Sequence, residues 1–155
     1  MALKVGDKIP NFTAKALQDV VFDTQNYIGN QMVVFYFYPK DETPGCTAQA
    51  CSFRDKYQDF KDLGVEVVGI SSDSVKSHEG FVSKYKLPFI LIPDEQKKIQ
   101  SLFGVPKALF GLLPGRVTYF VDKSGVVRFI HDSMNPLGHI SKTLDFIKNF
   151  TAANK

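Results

Sequence analysis

Apolar and polar positions along the chain alternate between two kinds of segment. Met32–Tyr38 is apolar without a break and Val65–Ile70 is nearly so, the pattern of strands covered on both faces. Between them, Cys46–Leu63 mixes the two classes, with Phe53, Tyr57 and Phe60 spaced four and three apart on one helical face. Strand, helix and strand in that order predict a βαβ unit. The pattern continues with a helix near Val75–Tyr85, a short strand at Phe89–Ile92 after Pro88, and a helix near Glu95–Phe103. Val117–Val121 and Val126–Ile130, joined by Asp122-Lys-Ser-Gly125, read as an antiparallel hairpin. A last helix spans about Gly138–Phe150, with Ile140, Leu144 and Ile147 as its core stripe, and Phe12–Leu17 with Val20–Phe22 reads as a small leading hairpin. Together these predict an α/β fold with a central mixed β-sheet flanked by helices and an N-terminal β-hairpin.

Composition narrows the picture. The chain has 155 residues, 44% of them hydrophobic and 23% charged, with no internal repeat, low-complexity tract or Pro/Ser-rich linker, so residues 1–155 read as a single domain. A chain of this size buries roughly 70% of the surface its unfolded form exposes, so its core needs neither disulfide nor metal. Its two cysteines are therefore free for chemistry. The 19 basic and 16 acidic residues leave a net charge of +3 with no basic stripe, and Lys97-Lys98 is the only adjacent basic pair, so no nucleic-acid partner is expected. The longest apolar run, Met32–Tyr38, falls far short of the ~20 residues of a membrane helix, so no membrane partner is expected. The first twelve residues lack the apolar core of a secretory signal and are too short and acidic for a transit peptide. The chain thus reads as cytoplasmic, or as a plastid stromal or lumenal protein already processed.

The chemistry concentrates in Tyr38-Pro-Lys-Asp-Glu-Thr-Pro-Gly-Cys-Thr-Ala-Gln-Ala-Cys51, just beyond the carboxyl end of a predicted buried strand, where open α/β sheets place their sites. Thr43 suits an N-cap and Pro44 the first helical position, which puts Cys46 in the first turn, beside unpaired amides and the positive end of the helix dipole. An ordinary thiol is only about 3% thiolate at pH 7, and such a position favours the anion, so Cys46 is a candidate nucleophile. Its bland alternative is a small buried hydrophobe. Cys51 follows five residues later. On an intact helix the two Cα atoms lie roughly 8.6 Å apart, against the ~4.4–6.8 Å of a disulfide. If both sit in the helix, bonding requires it to unwind, and Gly45 eases that opening. The pair is a candidate redox switch, with an inert thiol as the alternative for Cys51. His78, His131 and His139 are far apart in sequence and no second Cys or His pair follows, so a closed zinc site is not expected. The absence of C-x-x-C argues against an ordinary disulfide exchanger.

The run from Tyr38 to Asp55, with Pro39-x-x-x-Thr43-x-x-Cys46 at its centre, resembles the active-site signature of the peroxiredoxins, and specifically of their bacterioferritin-comigratory-protein or Q subgroup. Gly69-Ile-Ser-Ser-Asp-Ser74, Lys84-Tyr-Lys-Leu-Pro88 and Leu113-Pro-Gly-Arg-Val-Thr118 extend the resemblance over Val5–Phe150. It implies a thioredoxin-like fold and a thiol-dependent peroxidase that reduces hydrogen peroxide and organic hydroperoxides without metal, haem or flavin. Cys46 would be the peroxidatic cysteine, oxidised to a sulfenic acid. Cys51 would resolve it through an intramolecular disulfide, recycled by thioredoxin or a similar dithiol protein. Thr43 would orient the peroxide, Pro39 would shield the cysteine, and Arg116 would hold the thiolate and the developing oxyanion. A resolving cysteine within the same chain suggests a monomer.

Several readings stay open on sequence grounds. Without the resemblance, Arg116 is a solvated residue at a strand start. Gln49 and Arg54 read equally as exposed helical residues, and His78 as a helix-start histidine with no acidic partner placed by spacing. The apolar stretch Ala108–Pro114 reads as an exposed loop wall for bulky hydroperoxides or for the reductant. The competing functional class is a redox-sensing binding protein using the same disulfide switch.

Overall fold

The computed structural model describes residues 2–108 and 113–153. The leading hairpin is present: Thr13–Lys15 (β1) and Val21–Asp23 (β2) pair antiparallel, followed by a 3-10 turn at Thr24–Asn26. Met32–Phe37 (β3) then enters the centre of the molecule. Pro44–Asp62 (α1) carries the chain to Val65–Ser71 (β4), which pairs parallel with β3 in unbroken register from Met32–Val65 to Phe37–Ile70. The predicted βαβ unit is therefore formed. Val75–Tyr85 (α2) leads to Ile90–Pro93 (β5), parallel to β4.

Lys98–Phe103 (α3) begins three residues later than the pattern predicts. The Asp94 carboxylate accepts from the Ile99 and Gln100 amides, and Lys97 takes a left-handed φ of 58°. The acceptor for the first helical amides thus comes from Asp94, and the intervening residues form the turn that presents it.

Two short paired strands, Lys107–Ala108 (β6) and Leu113–Pro114 (β7), follow. Val117–Val121 (β8) and Val127–Asp132 (β9) form the expected antiparallel hairpin, whose turn is held by Asp122 Oδ1 accepting from the Ser124 and Val126 amides. His139–Ala153 (α4) closes the fold. The central sheet has the order β5-β4-β3-β8-β9, with β8 alone running opposite to the other four strands, so it is mixed as expected.

The unbroken apolar run of β3 follows from burial on both faces. Met32, Val34, Tyr36 and Tyr38 join one core with residues of α1, α2 and α4. Val33, Phe35 and Phe37 join the other with Ile99 and Phe103 of α3 and with Phe12 and Phe22 near the hairpin. At the centre of the first core, the Tyr36 ring stacks on Phe53 of α1 at 4.4 Å between centroids and on Tyr38 at 5.3 Å. This stacking fixes α1 over the sheet and, with it, the position of the helix start.

Gly69 of β4, opposite Tyr36 in the register, makes room for that ring. A methyl group there would lie 2.6 Å from Leu91 Cδ2 and 2.8 Å from the Tyr36 ring. Overpacking of this kind costs about 1–3 kcal/mol. Gly69→Ala is therefore expected to lower the unfolding free energy by that amount, read as a lower denaturant midpoint with an unchanged slope; an unchanged midpoint contradicts the packing account.

Candidate active site

The site is assembled where the carboxyl end of β3 meets the start of α1. Tyr38–Thr43 links the two. Thr43 has extended backbone angles (φ −78°, ψ 150°) and its carbonyl accepts from the Thr47 amide, so it opens the helix as predicted. Its side chain does not cap: the hydroxyl donates to Lys40 O at 2.9 Å. With no side-chain cap and Pro44 in the first position, the first-turn amides of α1 remain available to an anion. Cys46 lies in that turn, with 1% of its surface exposed. Cys51 lies further along the same continuous helix, half-buried, and both thiols are free.

Arg116 is brought to Cys46 from across the sheet. It precedes β8, which pairs with β3, and it is buried at 4% exposure, so the solvated reading of this residue does not hold. Its Nη2 lies 3.4 Å from Cys46 Sγ, its Nη1 donates to Gln49 Oε1, and its Nε donates to Met134 O at 3.0 Å. Among the described residues no carboxylate lies within ion-pair distance of this guanidinium. Gly115 permits the approach, since a methyl there would meet Pro106 O at 1.9 Å.

The loop that supplies Met134 O is itself held from behind. His139 Nε2 donates to Ser133 O at 2.8 Å, and the ring's Nδ1 lies 2.8 Å from Thr118 Oγ1. Burial, with the positive charges of Arg116 and Lys142 and the His131 ring nearby, pushes the His139 imidazole down to about 4, against the opposing effect of its bond to Ser133 O. It is therefore neutral at pH 7, with Nε2 carrying the proton.

A groove of about 460 Å³ runs beside the site between α1 and α4, lined by Ala48, Ser52, Pro136, Leu137, Ile140 and Leu144 among others. Its Pro136 end touches the helix start: a methyl group on Gly45 would sit 3.5 Å from Pro136 Cγ.

Residues 5–130 match the AhpC/TSA family. The Sedum lineare protein named "Peroxiredoxin Q, chloroplastic" is 50% identical over 145 residues, which cover 93% of this chain and 77% of that protein. The chain belongs to the AhpC/TSA family, among the peroxiredoxins. The wheat (Triticum aestivum) protein of the same name is also 50% identical over 93% of this chain, and the chain spans 66% of its length. Solved structures agree. The PrxQ of Xylella fastidiosa matches with a TM-score of 0.89 at 26% identity, covering 97% of this chain and 98% of that one. The peroxidoxin BcpB of Mycobacterium tuberculosis matches with a TM-score of 0.86 at 29% identity, covering 95% and 97%. The fold of this peroxiredoxin is accordingly the thioredoxin-like one expected from sequence.

The structure brings Cys46 and Arg116 together. It places Thr43, Cys51 and half-buried Pro39 on the same loop and helix, without a described hydrogen bond from any of the three to Cys46. Sequence reasoning missed Gln49, which is 1% exposed and orients Arg116. Its position three residues after Cys46, on the same helical face, was the available signal. Arg54 does not enter the site; its Nη1 donates to Tyr85 O. His78 stands near the start of α2, as the sequence suggests, but it is wholly buried and meets an acid that spacing did not place, Asp41, at 2.6 Å. The core of the Ala108–Pro114 stretch, residues 109–112, lies outside the described residues.

Two expectations follow. Arg116→Gln should slow oxidation of Cys46 by hydrogen peroxide by about 10²–10³-fold, the usual loss for one positioned charge-stabilising donor, and Arg116→Lys should recover only part, since a point charge lacks the guanidinium fork. Rapid-quench rates decide this; a loss below threefold contradicts it. Separately, His139 has a folded-state pKa below its unfolded value of about 6.5. Its contribution to stability is therefore full above pH 6.5 and lost as pH falls toward about 4. Unfolding free energies measured between pH 4 and 7 should fall less steeply in His139→Gln than in the wild type.

Proposed function

We propose that this peroxiredoxin reduces hydrogen peroxide and organic hydroperoxides with Cys46 as the peroxidatic and Cys51 as the resolving cysteine. The observation that carries the reading is Arg116 Nη2 at 3.4 Å from Cys46 Sγ in the first turn of α1. A buried guanidinium is costly unless its charge is balanced. Here its other described partners are neutral oxygens, and a sulfur anion supplies the balance. The thiolate is also the reactive form of cysteine.

In the first step the Cys46 thiolate attacks the terminal peroxide oxygen. The S–O bond forms as the O–O bond breaks, sulfur loses two electrons to become the sulfenic acid, and the leaving alkoxide or hydroxide takes a proton to depart as alcohol or water. Arg116 stabilises the charge that passes from sulfur to the leaving oxygen. The Thr43 hydroxyl, whose proton is engaged with Lys40 O, keeps lone pairs to accept from the peroxide O–H. The buried Nε2 of Gln49 has no hydrogen-bond partner among the described residues, so it is a donor for a substrate oxygen. Pro39, between β3 and α1, limits access of water to the sulfur. The mostly apolar groove between α1 and α4 supports acceptance of organic substituents.

In the second step the Cys51 sulfur attacks the sulfenic acid, the S–S bond forms and water leaves; a dithiol protein of the thioredoxin type then reduces the disulfide by exchange. No metal, haem or flavin enters this sequence. The resolving cysteine lies in the same chain, so one copy suffices and we read the enzyme as a monomer. The chloroplast names of its relatives favour the plastid among the expected compartments.

The test is a thioredoxin-coupled peroxidase assay with mass spectrometry after one equivalent of hydrogen peroxide. Cys46→Ser should abolish turnover. Cys51→Ser should consume one equivalent, stop at the sulfenic acid and form no disulfide. Ordinary turnover by Cys46→Ser defeats the proposal.

A further inference from the structure

The segment between β3 and α1 is tied to the rest of the molecule at a point that the peroxidase chemistry does not use. Asp41, five residues before Cys46, is buried at 3% exposure. Its Oδ1 accepts from the Tyr38 hydroxyl at 2.6 Å, and its Oδ2 accepts from Ser77 Oγ at 2.8 Å and from His78 Nδ1 at 2.6 Å. Its amide donates to Asp73 Oδ2 at 2.8 Å. The other side of the His78 ring is anchored in turn, with Nε2 3.2 Å from Ile92 O, so the cluster reaches from the loop through α2 to β5. The next residue, Glu42, makes an outer tie to α2 through Lys84 Nζ at 3.1 Å. The Thr43 hydroxyl, by contrast, bonds only within the loop.

These ties oppose a movement that the disulfide requires. Cys46 and Cys51 share one continuous helix, where ideal geometry keeps their Cα atoms roughly 8.6 Å apart, beyond the ~6.8 Å limit of a disulfide. The start of α1 must therefore unwind, and the loop ahead of it must give. Buried hydrogen bonds to a carboxylate are among the stronger ones to break.

We propose that Asp41 is a positioning residue of the Cys46 loop: through Tyr38, Ser77 and His78 it holds the form that presents Cys46 to Arg116, and the strength of that hold sets how fast the Cys46 sulfenic acid reaches Cys51. The inference rests on the peroxidatic and resolving roles proposed above. It makes Asp41 the element that divides the sulfenic acid between two fates, disulfide or further oxidation by a second peroxide to the sulfinic acid.

The experiment is rapid quench of the full chain with hydrogen peroxide, with sulfenic, disulfide and sulfinic forms counted by mass spectrometry. Asp41→Asn is expected to form the disulfide about tenfold faster, as loss of one to two charge-assisted bonds implies, and to yield correspondingly less sulfinic acid in excess peroxide. Its sulfenic acid should form no faster than in the wild type. Ser77→Ala, at a half-buried position that tolerates truncation, should shift the partition in the same direction by less, so the test survives if Asp41→Asn does not fold. His78→Asn, whose amide nitrogen replaces Nδ1, should stay near wild type, and His78→Gln should follow Asp41→Asn. Val127→Ala, in the core on the opposite face of the sheet, controls for general loss of stability and should leave the partition unchanged. Disulfide formation at the wild-type rate in folded Asp41→Asn overturns the inference, as does equal acceleration in Val127→Ala. A wild-type chain that forms sulfenic acid but no disulfide instead overturns the Cys51 reading and takes this inference with it.

Discussion

A guanidinium removed from water, with no carboxylate within ion-pair distance among the described residues, is the constraint around which the site is arranged. Burial of Arg116 is tolerable only if its N–H groups find acceptors and its charge finds a counterpart. Met134 O and Gln49 Oε1 meet the first need, and in the proposed chemistry the Cys46 sulfur, 3.4 Å from Nη2, meets the second. Each of these depends on something farther out. Gly115 lets the chain pass Pro106 closely enough to deliver the arginine. Neutral His139 holds the carbonyl of Ser133, one residue before Met134, and so steadies the loop. The helix start that carries Cys46 is located by aromatic stacking of Phe53 on Tyr36.

Two requirements of the proposed chemistry pull in opposite directions. Attack on a peroxide needs the sulfur fixed against Arg116, since orientation supplies much of the rate. Resolution by Cys51 needs the same segment to come apart. The structure divides these duties along α1. From Phe53 onward the helix is fastened by apolar packing against β3 and β4. Its opening turns, where Cys46 and Ala50 also reach the core, add polar contacts, those of Arg116, Gln49 and the loop before them. Polar contacts can be exchanged for water at modest net cost, whereas apolar burial cannot. Unwinding can thus be confined to the turns that carry the chemistry while the fold persists.

The order and type of the major elements were legible because burial imposes a period on each one separately. The unbroken apolar run of β3, the three-and-four spacing in α1 and α4, and the turn residues between β8 and β9 each report a local environment. Reading failed once over a local cap and otherwise where the deciding partner was distant. The helix expected from Glu95 starts at Lys98 because Asp94 reaches forward to its first amides. His78 looked unpaired because its acid lies 37 residues away. Gln49 and Arg116 looked like surface residues because their contact joins positions 67 apart.

The sequence alone determined that a cysteine stands in the first turn of a helix at the end of a buried strand, with a second cysteine five residues on and out of bonding range while the helix lasts. Those facts are local, fixed by backbone geometry and by Thr43 and Pro44. Only the tertiary structure decided which charge faces that sulfur and which groups hold its loop. The antiparallel pairing of β8 against β3 brings Arg116 to Cys46, and the packing of α2 beside the loop brings His78 to Asp41. Periodicity records whether a side chain is buried; the identity of its neighbour is set by sheet order and register, which no single segment encodes.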